Sequence, residues 1–256
     1  MNNSLFGVDG KNILVTGGTR GIGRSISLQL ARSGAKILAN YARNQETADS
    51  LASIASKENL SITLVRADLT KQDKVEELLS TTESWLSECK LDGIIHCAAT
   101  GVHKELDELS LRQFDWTFNL NIRAFFDLIT RLKDKLGSGS SIIGISSLGS
   151  SRASSTYSLV GASKGALDSF LRHLAVEWGR QGIRSNIICP GTVETDAWSA
   201  MPDSSERLGI AKEKIPLGKL TTPEEVSYCA QFLCSDASKG ISGSTIVVDS
   251  GESISV

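Results

Sequence analysis

The chain has 256 residues, 40% of them hydrophobic and 22% charged, a composition ordinary for a globular protein near the upper size limit of one core. The formal net charge of −2 argues against nucleic acid or an anionic membrane as the main partner, because either would select a basic surface. No apolar run reaches the roughly 18 residues that a membrane span requires. The N-terminus lacks a signal-peptide pattern, so the sequence predicts a cytoplasmic protein.

Short β-branched runs alternate with longer amphipathic stretches along the chain. The predicted strands are residues 11–18, 35–42, 61–68, 91–99, 140–147, 184–191 and 244–251. The predicted helices are residues 21–34, 45–58, 71–88, 110–136, 156–180 and 223–234. Strands that are apolar throughout and separated by helices lie in a parallel sheet covered on both faces. We therefore expect one doubly wound α/β domain over residues 1–256, with seven parallel strands.

Two segments carry local signals of their own. The irregular stretch 191–213 is long enough to cover a site, and we predict that it forms a substrate lid. The helix 223–234 opens on TTPEEV, where Thr222 suits the N-cap, Pro223 the first turn and Glu225 a capping box.

The five cysteines are an odd number and form no C-x-x-C pair. Cys97 and Cys189 end apolar runs, which favours buried free thiols over disulfides or metal ligands. The other three cysteines are Cys89, Cys229 and Cys234. The sequence thus indicates a reducing compartment and no metal site.

A glycine-rich turn, VTGGTRGIG, joins the first predicted strand to the first predicted helix. Gly17, Gly21 and Gly23 at this junction would let the backbone turn tightly and approach a pyrophosphate, which then lies on the helix N-terminus. The alternative is a plain tight turn. The position of the triplet in a doubly wound pattern favours a dinucleotide site.

The end of the second strand bears on which dinucleotide binds. An NAD site usually carries an acidic residue there, but this chain has Asn40, with Arg43 just beyond it and Arg20 inside the glycine loop. Two guanidiniums and no carboxylate would suit a 2′-phosphate, so we predict NADP(H). The alternative is that Arg43 is a solvated surface charge. Asp68, which ends the third strand, suits either the adenine amino group or a cap of the next helix.

The motifs TGGTRGIG, HCAAT, NLNIRAFF, ISS, GASKGA, CPGTVET and IVVDSG together resemble the short-chain dehydrogenase/reductase family over essentially the whole chain. The resemblance implies a Rossmann-type sheet with strand order 3-2-1-4-5-6-7, an NAD(P)(H) cofactor and a homotetramer or dimer. It also implies an active-site lysine at Lys164, an active-site serine at Ser147 and a water-holding asparagine at Asn121.

The cofactor-binding residues that the resemblance implies extend along the glycine loop and the strand ends. Pro190 and Gly191, with Thr195, would border the nicotinamide. The full set is Gly17, Thr19, Arg20, Gly21, Ile22, Gly23, Asn40, Arg43, Asp68, Leu69, Ala98, Lys164, Pro190, Gly191 and Thr195.

The chain departs from the family pattern at two places. After the fourth strand, His96 and Cys97 replace two asparagines that brace the sheet and cofactor, and we interpret His96 as structural. On the long helix, Val160 stands four residues before Lys164, where the family's ketoreductases carry their tyrosine. The nearest tyrosine is Tyr157, seven residues before the lysine.

On a helix, the side chain four residues away points about 40° to one side of the first side chain, and the one seven residues away points about 20° to the other side. Tyr157 is therefore expected to face the same cleft as Lys164, one turn further along or displaced at the helix start. Valine cannot donate a proton. In conjugate reduction of an α,β-unsaturated thioester the hydride adds to the β-carbon, and negative charge builds on the distant thioester oxygen. A displaced hydroxyl would serve that oxygen.

The Tyr-x6-Lys spacing resembles the enoyl-acyl-carrier-protein reductases, and ISSLGSSRASSTYSLVGASKGALDSFLRHLAVEW, AATGVHKEL and FDWTFNLN resemble their NADPH-dependent third bacterial type. The resemblance implies reduction of trans-2-enoyl groups on acyl carrier protein or coenzyme A, in fatty acid or related biosynthesis. Tyr157 would bind the thioester oxygen. Lys164 would bind the ribose and lower the proton affinity of Tyr157. Ser147 would only line the pocket.

The predicted lid would contribute to substrate and partner binding. Its apolar residues would wrap an acyl chain, or else pack against the domain; they are Ala197, Trp198, Ala200, Met201, Leu208 and Ile210. Arg207, Lys212 and Lys214 would steer an acidic carrier protein, or else form a solvated helix face.

Two other functions remain open from the sequence. One is a carbonyl reductase, acting for example on 3-oxoacyl thioesters, with Tyr157 bent into the site by an irregular helix start. The other is a cofactor-binding protein without turnover, for which Val160 and HCAAT would be signs of decay.

Overall fold

The computed structural model describes residues 5–193 and 215–255. Within these ranges the strands are β1 (Asn12–Thr16), β2 (Lys36–Tyr41), β3 (Ile62–Arg66), β4 (Leu91–His96), β5 (Leu136–Ile145), β6 (Arg184–Pro190) and β7 (Thr245–Val248). The α-helices there are α1 (Gly21–Arg32), α2 (Gln45–Lys57), α3 (Gln72–Leu86), α4 (Leu111–Phe118), α5 (Ala124–Arg131), α6 (Ser158–Gly179) and α7 (Pro223–Cys234).

The strands pair in parallel in the order β3-β2-β1-β4-β5-β6-β7, which confirms the predicted sheet. β1 lies between β2 and β4, so the strand order reverses beside it. In doubly wound sheets, ligands bind in the crevice outside the carboxyl ends of the strands at such a reversal. The topology therefore places the loops that follow β1 and β4 on either side of one crevice.

Alternate strand residues pack into two separate cores, one on each face of the sheet. Leu14 and Ile94 contribute to the core under α3, α5 and α6, whereas Ile13 and Ile95 contribute to the core under α1, α2 and α7. Both faces are covered, which is why the strands are apolar throughout. Packing in the two cores fixes the positions of the carboxyl ends of the strands, where the crevice lies.

The prediction of one continuous helix over residues 110–136 is wrong. The chain forms α4, then a π-helical stretch at Asn119–Arg123, then α5 and a short 3-10 turn, and β5 already begins at Leu136. The π-helical stretch carries Asn121, whose side chain is completely buried. A π-helical insertion rotates the residues that follow it relative to an α-helix and is frequent at functional sites.

The long helix α6 begins at Ser158, two residues later than predicted. Thr156 has a positive φ of 62°, a left-handed conformation that a β-branched residue rarely adopts, and Tyr157 is the N-cap. Tyr157 therefore lies just before the helix. This is the displaced arrangement that the sequence left open.

The predicted capping box of α7 is confirmed. The Thr222 hydroxyl accepts from the Glu225 backbone N–H, and the Glu225 carboxylate accepts from the Thr222 N–H. All five cysteines are free, with Cys189 and Cys234 buried and Cys89 exposed. None of the helices in the described ranges is long and apolar enough to cross a membrane.

Candidate active site

A cleft of about 490 Å³ opens beyond the carboxyl ends of the central strands. Predicted cofactor residues contribute much of its wall: Gly17, Thr19, Arg20, Gly21, Ile22, Asn40, Arg43, Asp68, Leu69 and Ala98. The residues that follow β4 form the opposite side, together with Trp116 and Leu120 from the helical segment after it. The structure thus brings together residues that are far apart in the sequence.

The glycine loop has the close backbone contacts that a pyrophosphate cradle requires. Gly17 has a φ of 65°, and a Cβ there would lie 2.9 Å from the Ala98 backbone. A Cβ on Gly23 would overlap the Gly17 carbonyl oxygen. Only glycine allows α1 to start this near to the loop, with its N-terminal N–H groups facing the cleft. The residues present therefore fit a dinucleotide.

The predicted phosphate-binding cations lie at the cleft but are solvent-exposed. Arg20 is the N-cap of α1 and is exposed. The Arg43 side chain is 78% exposed, and its guanidinium lies 3.9 Å from an Asp68 carboxylate oxygen. Both guanidiniums can reach a ligand from solvent. The nearby carboxylate makes Arg43 a weaker anion site than an unpaired arginine.

Asn40 has a structural bond that the sequence did not predict. Its side chain is buried, and Nδ2 donates to the Ala67 carbonyl at 3.0 Å. Its amide therefore braces β2 against the segment after β3. Asp68 uses one carboxylate oxygen to accept from both the backbone and the hydroxyl of Thr70. It fixes the turn before α3, whose N-cap is Lys71.

His96 is completely buried at the end of β4 and stacks on Phe125, with 4.5 Å between ring centroids. The Thr16 hydroxyl lies 2.9 Å from His96 Nδ1 and accepts from the backbone N–H groups of Cys97 and Ala98. The Thr16 hydroxyl can then donate its single hydrogen to His96 Nδ1. Nδ1 is therefore an acceptor, and we assign the hydrogen of the neutral ring to Nε2. Burial lowers the His96 pKa to about 3, with Lys164 acting in the same direction. A neutral, packed ring agrees with the structural interpretation.

Lys164 and Asn121 lie on neighbouring elements behind residues that line the cleft: Lys164 is close to Cys97, and Asn121 bonds Thr100. The Lys164 ammonium donates to the Ile145 carbonyl at 2.7 Å, and burial lowers its pKa. The Asn121 side chain accepts from the Thr100 N–H and donates to the Thr100 carbonyl and the Ser163 hydroxyl. Its amide is thus used to hold the π-helical stretch, while the water-holding role remains a prediction.

Tyr157 and Ser147 are in direct contact, which the sequence did not predict. The Tyr157 hydroxyl donates to the Ser147 hydroxyl at 3.1 Å, so Ser147 has a tyrosine partner, and both roles expected for it, in the chemistry or in the pocket lining, stay predictions. Burial raises the Tyr157 pKa, and the Ser147 bond opposes that change. The expected lowering by Lys164 is not seen, because the Lys164 ammonium points to Ile145. The phenol is consequently a proton donor at neutral pH.

Val160 occupies the place that the tyrosine of a ketoreductase would take. It is only 7% exposed, and its side chain packs so closely on Gly101 that a Cβ on Gly101 would overlap Val160 Cγ2. This wall is apolar. In this part of the site the hydroxyl group comes instead from Tyr157, three residues earlier in the chain.

Three residues near the site were not singled out from the sequence. Thr16 organises the segment after β4, Gly101 accommodates Val160, and the ring of His103 lies 5.3 Å from the Tyr157 ring. A threonine ending an apolar strand and a glycine after HCAAT were visible signals for the first two. For His103 no spacing rule applied, because its neighbour Tyr157 is brought near by folding.

Pro190 ends β6, and Gly191 packs against Asp249 so closely that a Cβ would lie 2.8 Å from its Cβ. The next residue, Thr192, donates its backbone N–H and its hydroxyl to the Glu252 carboxylate. These contacts fix the start of the segment that was predicted as a lid. Beyond residue 193 the predicted lid and partner residues lie outside the described ranges: Thr195, Ala197, Trp198, Ala200, Met201, Arg207, Leu208, Ile210, Lys212 and Lys214.

Comparisons with known proteins relate this geometry to one family. A family model described as enoyl-(acyl carrier protein) reductase matches residues 17–253. A tropinone reductase homolog from Arabidopsis thaliana is 35% identical over 244 residues, covering 94% of this chain and 92% of the relative. A 1-cyclohexenylcarbonyl-CoA reductase from Streptomyces collinus is 30% identical over 247 residues, covering 94% and 86%. A short chain dehydrogenase from Burkholderia cenocepacia, solved in complex with NADP, superposes with a TM-score of 0.88 at 27% identity and covers 96% and 98% of the two chains.

Proposed function

This chain belongs to the short-chain dehydrogenase/reductase family, and on that premise we propose that it reduces the carbon–carbon double bond of trans-2-enoyl thioesters with NADPH. The proposal rests on one observation: the position four residues before Lys164 has no hydroxyl, and the tyrosine hydroxyl comes from the position seven residues before it. Val160 presents a buried apolar wall at the ketoreductase position, and Tyr157 presents the proton-donating hydroxyl.

Each residue then has a defined task. NADPH, when bound, would supply the hydride for the β-carbon of the enoyl group. Tyr157 would turn its hydroxyl hydrogen from Ser147 to the thioester oxygen, stabilise the enolate charge there and protonate it; the enol then tautomerises to the saturated thioester, and solvent returns a proton to Tyr157. Ser147, whose hydroxyl can donate in turn to the Tyr157 oxygen, would orient that hydroxyl, and Lys164 would hold the cofactor ribose. The Val160 wall faces a hydrocarbon carbon, which needs no proton donor beside it.

Two of the comparisons support an enoyl substrate. The family model carries the description enoyl-(acyl carrier protein) reductase. The name of the Streptomyces collinus relative describes a thioester whose carbonyl is conjugated to a ring double bond. We propose a thioester of acyl carrier protein or coenzyme A as the substrate, with the acyl chain held by the residues beyond position 193.

The choice of NADPH over NADH follows from the charges at the adenosine end of the cleft. Arg20 and Arg43 line it, and the end of β2 carries no carboxylate. The similar dehydrogenase from Burkholderia cenocepacia was solved with NADP. Guanidiniums pair well with phosphate, so the 2′-phosphate is the group that we propose they recognise.

Replacing Arg43 by alanine tests the choice of cofactor. A hydrogen bond to a charged group contributes about 1.5–3 kcal/mol, so we expect Arg43→Ala to weaken NADPH binding roughly tenfold to hundredfold and to leave NADH binding unchanged. Arg172→Ala, which removes an exposed arginine from α6, is the matched control. Equal losses for NADPH and NADH would reject 2′-phosphate recognition by Arg43. Fluorescence titration of each nucleotide gives the dissociation constants.

A carbonyl reductase is the second candidate, and one contact favours it. Tyr157 reaches Ser147 from an irregular helix start, as a ketoreductase with a displaced tyrosine would require. The Arabidopsis thaliana relative, a tropinone reductase homolog, is named for a ketone substrate. Against this candidate, the Val160 wall takes the position next to Lys164 on the helix.

Oxidation of NADPH, offered crotonyl and acetoacetyl thioesters in parallel, distinguishes the candidates. We expect loss of NADPH absorbance with the crotonyl compound and none with the acetoacetyl compound. Consumption with the acetoacetyl compound alone would replace the enoyl assignment by the carbonyl one. Silence with both, beside tight NADPH binding, would contradict both reductase assignments for short acyl groups and favour a binding protein without turnover.

A further inference from the structure

Asp168 is a buried carboxylate of α6 that the proposed reaction does not use. It stands four residues after Lys164, and each of the two residues is only 6% exposed. Its Oδ1 atom is fully enclosed and has no hydrogen-bond partner in the described part of the chain. An enclosed carboxylate oxygen without a hydrogen-bond partner is costly, so a positive charge near it would offset part of that cost.

Lys164 is the cation that lies near Asp168. Residues four apart on a helix lie on the same face, so the two side chains leave α6 in the same direction. Burial lowers the Lys164 pKa, and the negative charges that oppose this would come from Cys97 and Asp168. The ammonium is directed at the Ile145 carbonyl, so its attraction to the Asp168 carboxylate acts through space.

Within residues 5–193 and 215–255, the other titratable groups next to Lys164 and Asp168 are uncharged near neutral pH. His96 and Cys97 come from the end of β4, and Cys189 comes from β6. Burial lowers the pKa of His96 to about 3 and raises those of Cys97 to about 11 and of Cys189 to about 12. Cys97 can therefore not act as an anion on Lys164 in this range. Among the residues that the structure describes, Asp168 is the group left to do so.

Charged groups at the edge of the pocket do not replace Asp168. Arg20 acts on Cys97, and Asp249 acts on Cys189. Tyr157, from the start of α6, is a neutral phenol because burial raises its pKa. None of the three is among the groups that shift the Lys164 pKa.

We propose that Asp168 is a positioning residue whose carboxylate keeps the buried Lys164 ammonium charged, so that it can serve the cofactor ribose. This role of Asp168 rests on the proposed function in one respect only, namely that NADPH is the ligand that Lys164 binds. The charge coupling between the two side chains holds for either reductase candidate.

Substitution of Asp168 by asparagine tests the proposal through NADPH binding. Loss of the anion lowers the Lys164 pKa further, so the ammonium is lost at a lower pH. We expect wild type and Asp168→Asn to bind NADPH similarly at acidic pH, and the affinity of the variant to fall about 1 pH unit or more earlier as the pH rises. Asp107→Asn, an exposed change on the 3-10 turn after β4, is the control. If the NADPH affinity of Asp168→Asn falls at the same alkaline pH as that of wild type, the proposal is overturned.

Thermal unfolding of the free protein gives a second readout that needs neither cofactor nor substrate. Lys164→Met and Asp168→Asn each leave one buried charge unpaired, so each should lower the Tm at pH 7 by roughly 3–8 °C. The double variant removes both charges and should recover most of the loss. Additive losses in the double variant would overturn the coupling. If the single and double variants show this coupling while the wild-type protein does not oxidise NADPH with crotonyl thioesters, this inference stands and the enoyl assignment is rejected.

Discussion

Substitution of Tyr157 by phenylalanine is expected to abolish most turnover of crotonyl thioester while the protein still binds NADPH. The change removes only the hydroxyl that donates to Ser147, and with it the proton donor for the thioester oxygen. Positioned proton donors contribute about 10²–10⁴-fold to rate, so kcat should fall by that factor. The dissociation constant for NADPH should stay within about twofold, because the cofactor cleft is lined by other residues.

The matched control is Tyr228→Phe, which removes the same hydroxyl from a tyrosine 57% exposed on α7. Its kcat and NADPH affinity should equal those of wild type. Stopped-flow absorbance of NADPH gives the chemical rate, and nucleotide fluorescence gives the affinity. If Tyr157→Phe keeps the wild-type rate, Tyr157 is not the proton donor and both reductase candidates lose their acid.

The pH dependence of kcat should follow the ionisation of the Tyr157 hydroxyl. Because burial raises the Tyr157 pKa, the phenol stays protonated through neutral pH and loses its proton only at a pH above the ordinary value of about 10. Activity that depends on this proton is therefore present at neutral pH and is lost as the pH rises through the raised value.

Substitution of Gly23 by alanine is expected to weaken NADPH binding severely. A Cβ at this position would overlap the Gly17 carbonyl oxygen, and backbone cannot rotate away as a side chain can. The start of α1 must then move off the glycine loop, which opens the cradle for the pyrophosphate. Overpacking strain of about 1–3 kcal/mol in the bound geometry corresponds to a loss of roughly fivefold to 150-fold in affinity.

Gly240→Ala is the control, because a Cβ at Gly240 meets no atom within 4 Å. It should bind NADPH as wild type does. Calorimetry measures the affinity, and circular dichroism measures the helix content of both variants. Wild-type NADPH affinity in a folded Gly23→Ala protein would mean that the pyrophosphate does not use this loop.

Local patterns along the chain were sufficient to predict the sheet and the position of the cofactor cleft. The strands are apolar on both faces because both faces are covered, and that property can be read from a single segment such as β1 or β4. The glycines at 17, 21 and 23 are needed by the backbone of one turn, so their spacing also is a local signal. The α7 cap was predictable for the same reason, since its partners Thr222 and Glu225 are three residues apart.

Contacts between distant segments decided the rest of the site. The Tyr157 hydroxyl reaches Ser147 because Thr156 adopts a positive φ and the helix starts later, which helical spacing cannot predict. The π-helical stretch at Asn121 depends on partners at Thr100 and Ser163 that lie in other elements.

The sequence by itself therefore determined the alternation of strands and helices, the dinucleotide loop and the absence of a tyrosine four residues before Lys164, whereas the strand order came from the family resemblance. Each of these depends on residues within one element, where the backbone period fixes which side chains are neighbours. Only the tertiary structure decided that Ser147 contacts Tyr157, that Asn40 is used inside the sheet and that Asp168 is enclosed. Burial and pairing across elements arise when the sheet and helices pack, so no single segment contains them.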